Sequence, residues 1–319
     1  MSESDFFCLN PKYSTTRMVT KEQPRIENDP SSKLQTQLFF SANSNRQGEG
    51  GLRTKGYFKK TFNDKPLVSV ITVVFNGHKH LEQTIQSVLN QSYGNVEYII
   101  IDGGSSDGTL DIIHKYEHAI DYWISEPDKG IYDAVNKGLM LAFGDSIGII
   151  NSNDWYEANA IAKVVFIVGG SIDCVAHGNM NLYKDNRMSY EAHFCGAMNK
   201  IKKGMIINHP TTFIGKSLYK RYGLFDTKYK IASDWDLILR FWKAEVPFIF
   251  IPHLIANFRI GGISYNINLN TILEKHYIRK SNVAYKVIDF YWLFEIIKLS
   301  VFGKYVSPIS IVRQKLRSK

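Results

Sequence analysis

Residues 67–75, with the sequence LVSVITVVF, decide the fold class of this chain. Apolar and β-branched side chains dominate the run without polar alternation, which predicts a strand buried on both faces, as in a parallel sheet. Similar runs recur at residues 96–101, 120–124 and 146–150. Segments with helical spacing of apolar residues separate them. This alternation predicts an α/β protein with a doubly wound, Rossmann-like sheet.

The net charge of the chain is its unusual bulk property. The 319 residues include 39 Lys and Arg against 30 Asp and Glu, a formal net charge of +9. A basic excess indicates an anionic partner, which can be nucleic acid, a phosphorylated ligand or anionic lipid. The basic residues are dispersed and follow no nucleic-acid-binding motif, so we expect no nucleic acid as partner. With 44% hydrophobic and 22% charged residues, wholesale disorder is excluded.

Cysteine usage and the first residues indicate a cytoplasmic protein. The three cysteines, Cys8, Cys174 and Cys195, are far apart and form no CxxC pair, which argues against a disulfide framework or a cysteine-rich metal site. The first nine residues include Glu3 and Asp5 and lack the pattern of a secretory signal. The sequence has no run of about 18 uncharged apolar residues, so we expect no membrane-spanning helix.

Two acidic residues follow predicted strands. Asp102 comes after the run at 96–101, and Asp154 comes after the run at 146–150, in the segment NSND. In open α/β sheets ligands bind beyond the carboxyl ends of the strands, so both acids are candidate ligand-binding residues. The alternative is that Asp102 caps a helix and Asp154 forms an Asx turn. Their positions alone leave both interpretations open.

Other enzyme classes built on such sheets lack their signals here. A nicotinamide-dependent dehydrogenase would carry GxGxxG after the first strand, where this chain has Asn76-Gly77-His78. A nucleotidyltransferase would have a glycine-rich phosphate loop with a basic residue at the same place, and this segment is not one. Glycosidases use paired carboxylates but need no nucleotide site at the end of a sheet.

Four motifs follow one another along the chain: VSVITVVFN at 68–76, EYIIIDGGSSDGT at 97–109, EPDKGIYDAVNKG at 126–138 and NSNDW at 151–155. In this order they resemble the family-two glycosyltransferases, in the branch that builds bacterial surface polysaccharides such as the O-antigen of lipopolysaccharide. The resemblance covers about residues 50–265. It implies a GT-A type fold with a mixed, mostly parallel sheet. It also implies inverting transfer of a sugar from a nucleotide diphosphate sugar, with UDP as the expected nucleotide.

The resemblance implies a set of donor-binding residues. Phe75, at the end of the first strand, would contact the base, and Asp102 would accept a hydrogen bond from the base or ribose. The segment from Asp128 to Asp133 would approach the sugar or the phosphates, where Lys129 would neutralise phosphate charge.

The metal motif departs from the family pattern. Where the family usually has Asp-x-Asp or Asp-Asp, this chain has Ser152-Asn153-Asp154 and so one carboxylate. An Mn²⁺ or Mg²⁺ ion bound to a diphosphate can take its other oxygen ligands from phosphate and water. Asp154 is therefore the predicted metal ligand, with Asn153 as a neutral donor-side contact. Arg259, in the segment FRIGGIS at 258–264, would lie near the diphosphate; a turn with a surface arginine is the alternative.

The resemblance assigns the chemistry to the second half of the chain. Asp234, in the segment SDWD at 233–236, matches the family's catalytic base, and an inverting transferase needs a carboxylate to take the acceptor hydroxyl proton. Asp236 is interpreted as a structural acid that caps a helix over 237–242. His209 is a candidate acceptor-binding residue that would order the acceptor or the base, and a half-buried structural histidine is the alternative.

The chain divides into three predicted parts: a polar extension at 1–50 with no assigned role, a catalytic domain at 51–268, and a helical, basic segment at 269–319. Aromatic residues lie beside lysines and arginines in the last part, a composition that suits an anionic membrane surface. Packing of this helix on the catalytic domain or on a dimer partner is the alternative, so an oligomer is compatible with the sequence.

The resemblance implies an inverting glycosyltransferase with a lipid-linked saccharide as acceptor. The C-terminal composition adds the expectation that the protein is peripheral on the inner face of the bacterial plasma membrane. The acceptor follows from the resemblance alone. An inactive or regulatory nucleotide-sugar-binding homologue is the alternative, because Asn153 replaces a carboxylate. The donor sugar and the linkage do not follow from the sequence.

Overall fold

The computed structural model describes residues 6–62, 64–169, 173–184, 187–192, 198–261 and 269–282. A ten-stranded sheet runs through this part of the chain. Its strands are β1 (Gly48–Gly50), β2 (Val68–Val74), β3 (Val96–Asp102), β4 (Tyr122–Ser125), β5 (Ser146–Ile149), β6 (Trp155–Tyr156), β7 (Val175–Lys184), β8 (Arg187–Ala192), β9 (Phe213–Gly215) and β10 (Phe248–Arg259). The α-helices of the same ranges are α1 (His78–Leu89), α2 (Thr109–Tyr116), α3 (Ile131–Leu141), α4 (Ala160–Val168), α5 (Lys216–Tyr222), α6 (Ser233–Lys243) and α7 (Leu269–Asn282).

The strand order is β1-β4-β3-β2-β5-β9-β7-β10-β6, with β8 paired to β7. A parallel block forms its centre, in which β2 lies between β3 and β5, and β3 pairs with β4. Every residue of β2 and β3 is buried, as the uninterrupted apolar run at 67–75 predicts for a strand covered on both faces. The predicted doubly wound α/β sheet is confirmed.

The other half of the sheet contains strands of both directions. β9 is antiparallel to β5 and to β7, whereas β10 runs parallel to β7. At the two edges, β1 pairs antiparallel with β4, and β6 pairs antiparallel with β10. The longest pairings are parallel, which confirms a mixed, mostly parallel sheet.

Two apolar clusters fill the layers between the sheet and the helices. Neighbouring residues Val70 and Ile71 of β2 belong to different clusters, because successive strand side chains point to opposite faces. Burial of each such side chain stabilises the fold by roughly 1.5–3 kcal/mol. A Cβ on Gly138 of α3 would lie 2.5 Å from the Ile71 side chain. Glycine at this position therefore allows α3 to lie directly on the central strand.

The polar N-terminal segment packs against the domain over residues 6–62. Val19 and Leu34 are buried, and β1 extends the sheet beside β4. Arg53 Nη2 and Glu97 Oε1 form a buried ion pair at 2.7 Å. This segment therefore contributes residues to the core although its composition is polar. The division of the chain at residues 50 and 268 stays a prediction.

Two positions differ from the sequence-based expectation. α6 begins at Ser233, not at residue 237, so Asp236 lies inside the helix and pairs with Arg240 at 3.0 Å instead of capping it. Arg259 is the last residue of β10 and not part of a turn. Residues 262–264 of the predicted glycine segment and the basic segment beyond residue 282 lie outside the described residues. No helix within the described ranges is long and apolar enough to span a membrane.

Candidate active site at the carboxyl ends of the parallel strands

The loops that follow the central parallel strands meet at one edge of the sheet, because neighbouring parallel strands end at the same side. The loops after β2 and β3 are bonded to each other. The N–H of Asn76 donates to Ser105 Oγ at 2.7 Å, and the N–H of Ser106 donates to Asn76 Oδ1 at 2.9 Å. Asn76 has a φ of 50°, a left-handed conformation that asparagine adopts more readily than most residues. These two loops therefore form one connected wall of the site.

An aromatic ring and a carboxylate meet across Gly103 in this wall. Phe75 is 65% exposed at the end of β2, which is unusual for a side chain of this size. A Cβ on Gly103 would lie 2.5 Å from Asp128 Oδ2 and 3.4 Å from Phe75 Cδ2. Both side chains therefore lie against the Gly103 backbone. An exposed ring beside a hydrogen-bond acceptor is a surface on which a nucleobase can stack.

Asp102 is fully buried, and its carboxylate binds its own loop. Oδ2 accepts the N–H groups of Gly104 at 3.2 Å and Ser105 at 2.9 Å, and the hydroxyl of Ser125 at 2.6 Å. Oδ1 accepts the Ser105 hydroxyl. These bonds hold the loop after β3 against the end of β4. The contact of Asp102 with the base or ribose stays a prediction.

The segment after β4 turns into α3 through a glycine. Gly130 has a φ of 117°, a conformation that glycine adopts without steric conflict, and its N–H donates to Asp128 Oδ1 at 2.7 Å. The N–H of Lys129 donates to Asp133 Oδ2 at 3.0 Å. Both predicted donor-side carboxylates therefore shape the beginning of α3. The Lys129 side chain itself is exposed.

Asp154 is 1% exposed and is bonded to the end of β10. Its Oδ1 accepts the N–H of Arg259 at 3.0 Å. The Arg259 side chain donates to Gln83 at 2.9 Å, and its guanidinium lies 5.1 Å from the Trp155 ring centroid. Burial raises the pKa of Asp154 to about 7, against the opposing effect of Arg259. The predicted metal ligand and the predicted diphosphate-side arginine are thus direct neighbours.

The residues around Asp154 offer oxygen atoms to a hard divalent ion. Asn153 is half-buried in the same turn, and Asn151 Oδ1 is buried with no hydrogen-bond partner among the described residues. Among all the residues that the structure describes, no three His, Cys, Asp or Glu side chains lie close enough together to hold a metal ion. One carboxylate with neighbouring amide oxygens fits an ion that takes its other ligands from phosphate and water. The residues fit a metal shared with a donor, not one held by the protein alone.

Asp234 lies half-buried in the first turn of α6. Its Oδ1 accepts the N–H of Trp235 at 2.8 Å and lies 3.4 Å from the Tyr132 hydroxyl. Tyr132 makes its shorter bond, 2.7 Å, to the carbonyl of Ile231. Burial, and then the charge of Asp234, raise the pKa of Tyr132 well above its usual value. The Tyr132 hydroxyl therefore keeps its proton and acts as a donor.

His209 belongs to the same cluster. Its ring lies edge-on to Phe225 with centroids 6.4 Å apart, and Phe225 stacks on Tyr132 at 5.5 Å. Burial lowers the pKa of His209, while the charge of Asp234 opposes this shift. The structure thus brings the predicted base and the predicted acceptor-side histidine together. The role of His209 in acceptor binding stays a prediction.

The sequence patterns do not identify two of the residues around Asp234. Tyr132 lies inside the motif EPDKGIYDAVNKG, but its partner Asp234 is 102 positions away, and no periodicity connects them. Glu274 of α7 accepts backbone N–H groups just before Asp234, and no motif marks it. The position of Tyr132 within the motif at 126–138 is the one sequence signal that could have identified it as a site residue.

The fold has solved counterparts. The crystal structure of S. aureus TarS 1-349 in complex with UDP matches with a TM-score of 0.55 and 16% sequence identity, over 71% of this chain and 68% of that chain. At this identity the match shows the fold alone. The sheet, with its site at the strand ends, thus has the GT-A-like fold.

Sequence comparisons identify the family. The family model described as Glycosyl transferase family 2 matches residues 69–217. The "Uncharacterized glycosyltransferase MT1564" of Mycobacterium tuberculosis (strain CDC 1551 / Oshkosh) is 35% identical over 181 residues, which are 55% of this chain and 68% of that protein. A "PGL/p-HBAD biosynthesis glycosyltransferase" of Mycobacterium bovis (strain BCG / Pasteur 1173P2) is 28% identical over 225 residues, 67% of this chain and 84% of that protein. The chain belongs to glycosyltransferase family 2.

Proposed function

We propose that this protein is an inverting glycosyltransferase that moves a hexosyl group from a nucleotide diphosphate sugar, with UDP as the nucleotide, to a saccharide acceptor. One observation carries the proposal. Asp234 is linked through Tyr132 to α3, the helix that begins at the loop of residues 126–130 beside the exposed Phe75 ring. A half-buried carboxylate at this position is what an inverting transferase requires of its base.

In the proposed reaction, an acceptor hydroxyl oxygen attacks the anomeric carbon on the face opposite the diphosphate. The new C–O bond forms while the bond to the diphosphate oxygen breaks, and Asp234 takes the hydroxyl proton. Tyr132 and the N–H of Trp235 both contact Oδ1 of Asp234. We therefore assign the proton transfer to Oδ2. His209, in the same cluster, is proposed to orient the acceptor.

On the donor side, the Phe75 ring and the Asp128 carboxylate form the surface proposed for the base. Asp102 holds the loop beneath them, and Asp133 holds the beginning of α3. Lys129 and Arg259 would supply positive charge to the phosphates. The fold likeness to TarS, which was solved with UDP, supports the choice of a uridine nucleotide.

A divalent ion, Mn²⁺ or Mg²⁺, is part of the same proposal. Asp154 would hold it together with the donor diphosphate, and Asn153 would add a neutral contact. When bound, the ion stabilises the negative charge of the leaving diphosphate. Donor binding is therefore expected to depend on metal.

We further propose a lipid-linked saccharide as acceptor, in the synthesis of a bacterial surface polysaccharide of the O-antigen type. The protein would work on the anionic inner face of the plasma membrane. The net charge of +9 supports attraction to an anionic surface. Sedimentation with vesicles of anionic lipid, compared with neutral vesicles, tests the location. Equal sedimentation with both would contradict it.

The function itself is tested by a transfer assay on the full chain. Purified protein, Mn²⁺, and a panel of UDP-, GDP- and dTDP-linked sugars are incubated with lipid-linked acceptors, and products are identified by mass spectrometry. We expect one hexosyl unit to be added from one UDP-linked sugar, with inverted anomeric configuration by NMR. Failure to bind or transfer any donor in the panel would refute the proposal.

An inactive nucleotide-sugar-binding homologue is the second candidate. The observation that favours it is Asn153, which leaves the metal motif with one carboxylate. Such a protein would bind the donor in calorimetry but neither transfer nor hydrolyse it with any divalent ion. Turnover of a bound donor excludes this candidate.

A further inference from the structure

A carboxylate from α7 holds the turn that precedes Asp234. Glu274 Oε1 accepts the N–H of Lys230 at 2.7 Å, and Oε2 accepts the N–H groups of Ile231 at 2.9 Å and Ala232 at 3.2 Å. The turn leads directly into α6, which begins at Ser233. These three N–H groups belong to residues that precede the first residue of α6, so they have no partner within the helix. One side chain therefore satisfies three consecutive backbone donors at this helix end.

The same turn is held from the opposite side by α3. The carbonyl of Ile231 accepts the Tyr132 hydroxyl at 2.7 Å, so both backbone polar groups of Ile231 are bonded. Lys230 Nζ reaches the carbonyl of Lys129 at 3.4 Å, in the loop of residues 126–130, which we call the donor loop. The turn at 230–232 thus connects α7, α3 and the donor loop immediately before Asp234.

The contacts of α7 with α6 do not all depend on Glu274. Asn282 donates to Asp236 Oδ1 at 2.8 Å, and Ile272 and Ile278 of α7 are buried. We expect these contacts to keep α7 against α6 when the Glu274 carboxylate is removed. The specific contribution of Glu274 is therefore the conformation of the turn rather than the attachment of the helix.

We propose that Glu274 is a positioning residue for the transfer reaction, which fixes the turn at 230–232 and thereby the Asp234 carboxylate relative to the donor. This inference rests on the proposed role of Asp234 as the base. Bonds from a carboxylate to backbone N–H groups are among the stronger hydrogen bonds in proteins. A base displaced by about 1 Å can lose about a hundredfold in rate. The proposed donor-binding residues lie on other loops, and the turn reaches Lys129 through the Lys230 side chain, which a substitution of Glu274 keeps; we therefore expect donor binding to change little.

The experiment compares wild type with Glu274→Gln and Glu274→Ala in transfer, donor hydrolysis and donor binding. Gln keeps one acceptor oxygen and Ala keeps none, so we expect kcat for transfer to fall about tenfold and about a hundredfold, respectively. Donor affinity by calorimetry stays within about twofold. The ratio of donor hydrolysis to transfer rises in the same order, because a small water molecule tolerates a displaced base better than a bound acceptor.

The ratio of donor hydrolysis to transfer distinguishes a displaced base from a loss of folded protein. Partial unfolding lowers hydrolysis and transfer equally and leaves their ratio unchanged. Glu245→Ala, which removes an exposed carboxylate after the other end of α6, serves as the matched control and should behave as wild type. Wild-type kcat in Glu274→Ala, or a lowered kcat at an unchanged ratio, overturns the inference. If Glu274→Ala does not fold, Glu274→Gln carries the test alone.

Asp234→Asn, measured in parallel, separates this inference from the proposed function. If wild type transfers sugar and Asp234→Asn does not, the base assignment holds and the Glu274 variants report on positioning alone. If Asp234→Asn transfers as wild type does, the base assignment fails, and the role of Glu274 fails with it.

Discussion

The Tyr132 hydroxyl lies 3.4 Å from Asp234 Oδ1 and 2.7 Å from the carbonyl of Ile231. One side chain therefore contacts both the proposed base and the turn that precedes it. Its ring stacks on Phe225, so packing holds the hydroxyl in place. Because Tyr132 lies in the first turn of α3, it connects the loop that precedes this helix with the turn before the proposed base.

Replacing Tyr132 with Phe tests this connection, because it removes only the hydroxyl. We expect kcat for transfer to fall about tenfold with an unchanged donor KM, and stability to fall by about 1 kcal/mol. Steady-state kinetics and urea denaturation measure the two effects. The control is Tyr116→Phe, which removes a hydroxyl that donates to Glu82 at 2.6 Å. This hydroxyl lies outside the site, so the control should keep wild-type kcat. Equal kinetics in the two variants would rule out the connection.

Asp234→Asn is expected to lower transfer by a factor of 10² or more, since general base catalysis typically contributes roughly 10²–10⁴. Donor affinity should stay near that of wild type, because the proposed donor contacts lie on other loops. Asp236→Asn is the comparison: Asp236 pairs with Arg240 and Asn282, so its loss should reduce stability but not transfer. The opposite pattern would move the base to Asp236.

Asp154→Ala is expected to weaken metal-dependent donor binding. In wild type, EDTA should reduce donor affinity, because the proposed ion would link Asp154 to the diphosphate. In the variant, the affinity should be low and insensitive to EDTA. Calorimetric titration with and without Mn²⁺ measures both. A donor affinity unchanged by the substitution and by EDTA would remove Asp154 from the metal role.

Arg53→Met should destabilise the fold by about 3–5 kcal/mol, because it leaves the Glu97 carboxylate buried without its ion-pair partner. Lys55→Met breaks the more exposed pair with Glu117, whose nitrogen-to-oxygen distance is 3.5 Å. That change should stay within about 0.5 kcal/mol. Urea denaturation of both variants provides the comparison. Similar small losses in both would show that the Arg53 pair is not important for stability.

Lys216 makes the stability of the fold dependent on pH. Burial lowers the pKa of Lys216 from 10.5 to about 8. Between these values the unfolded chain binds more protons than the native chain, so this residue makes stability increase as pH rises from about 8 to 10.5. In Lys216→Met, the gain in the free energy of unfolding from pH 8 to pH 10 should be smaller by on the order of 1–2 kcal/mol. Lys203→Met, at an exposed lysine, should keep the wild-type gain, and equal gains in all three proteins would contradict the prediction.

Much of the fold could be predicted from local pattern. The run at 67–75 has no polar alternation, and a strand of this kind is stable only when helices cover both of its faces. The boundaries of α6 and β10 could not be predicted from local pattern. α6 begins at Ser233, directly after a turn whose N–H groups are satisfied by Glu274 of α7, and such a partner is not visible in the local sequence.

The sequence by itself determined the doubly wound sheet, the family, and the set of strand-end loops that hold Phe75, Asp102, Asp128 and Asp154. These features depend on the order of short segments and on which residue types lie at strand ends. Only the tertiary structure decided that the Asp102 carboxylate binds its own loop and that Asp154 is bonded to Arg259. It also decided that Tyr132 and Glu274 hold the turn before Asp234. The physical reason is that most of these bonds join groups far apart in the chain, and the packing of helices on the sheet, not any sequence period, brings their atoms within hydrogen-bond distance.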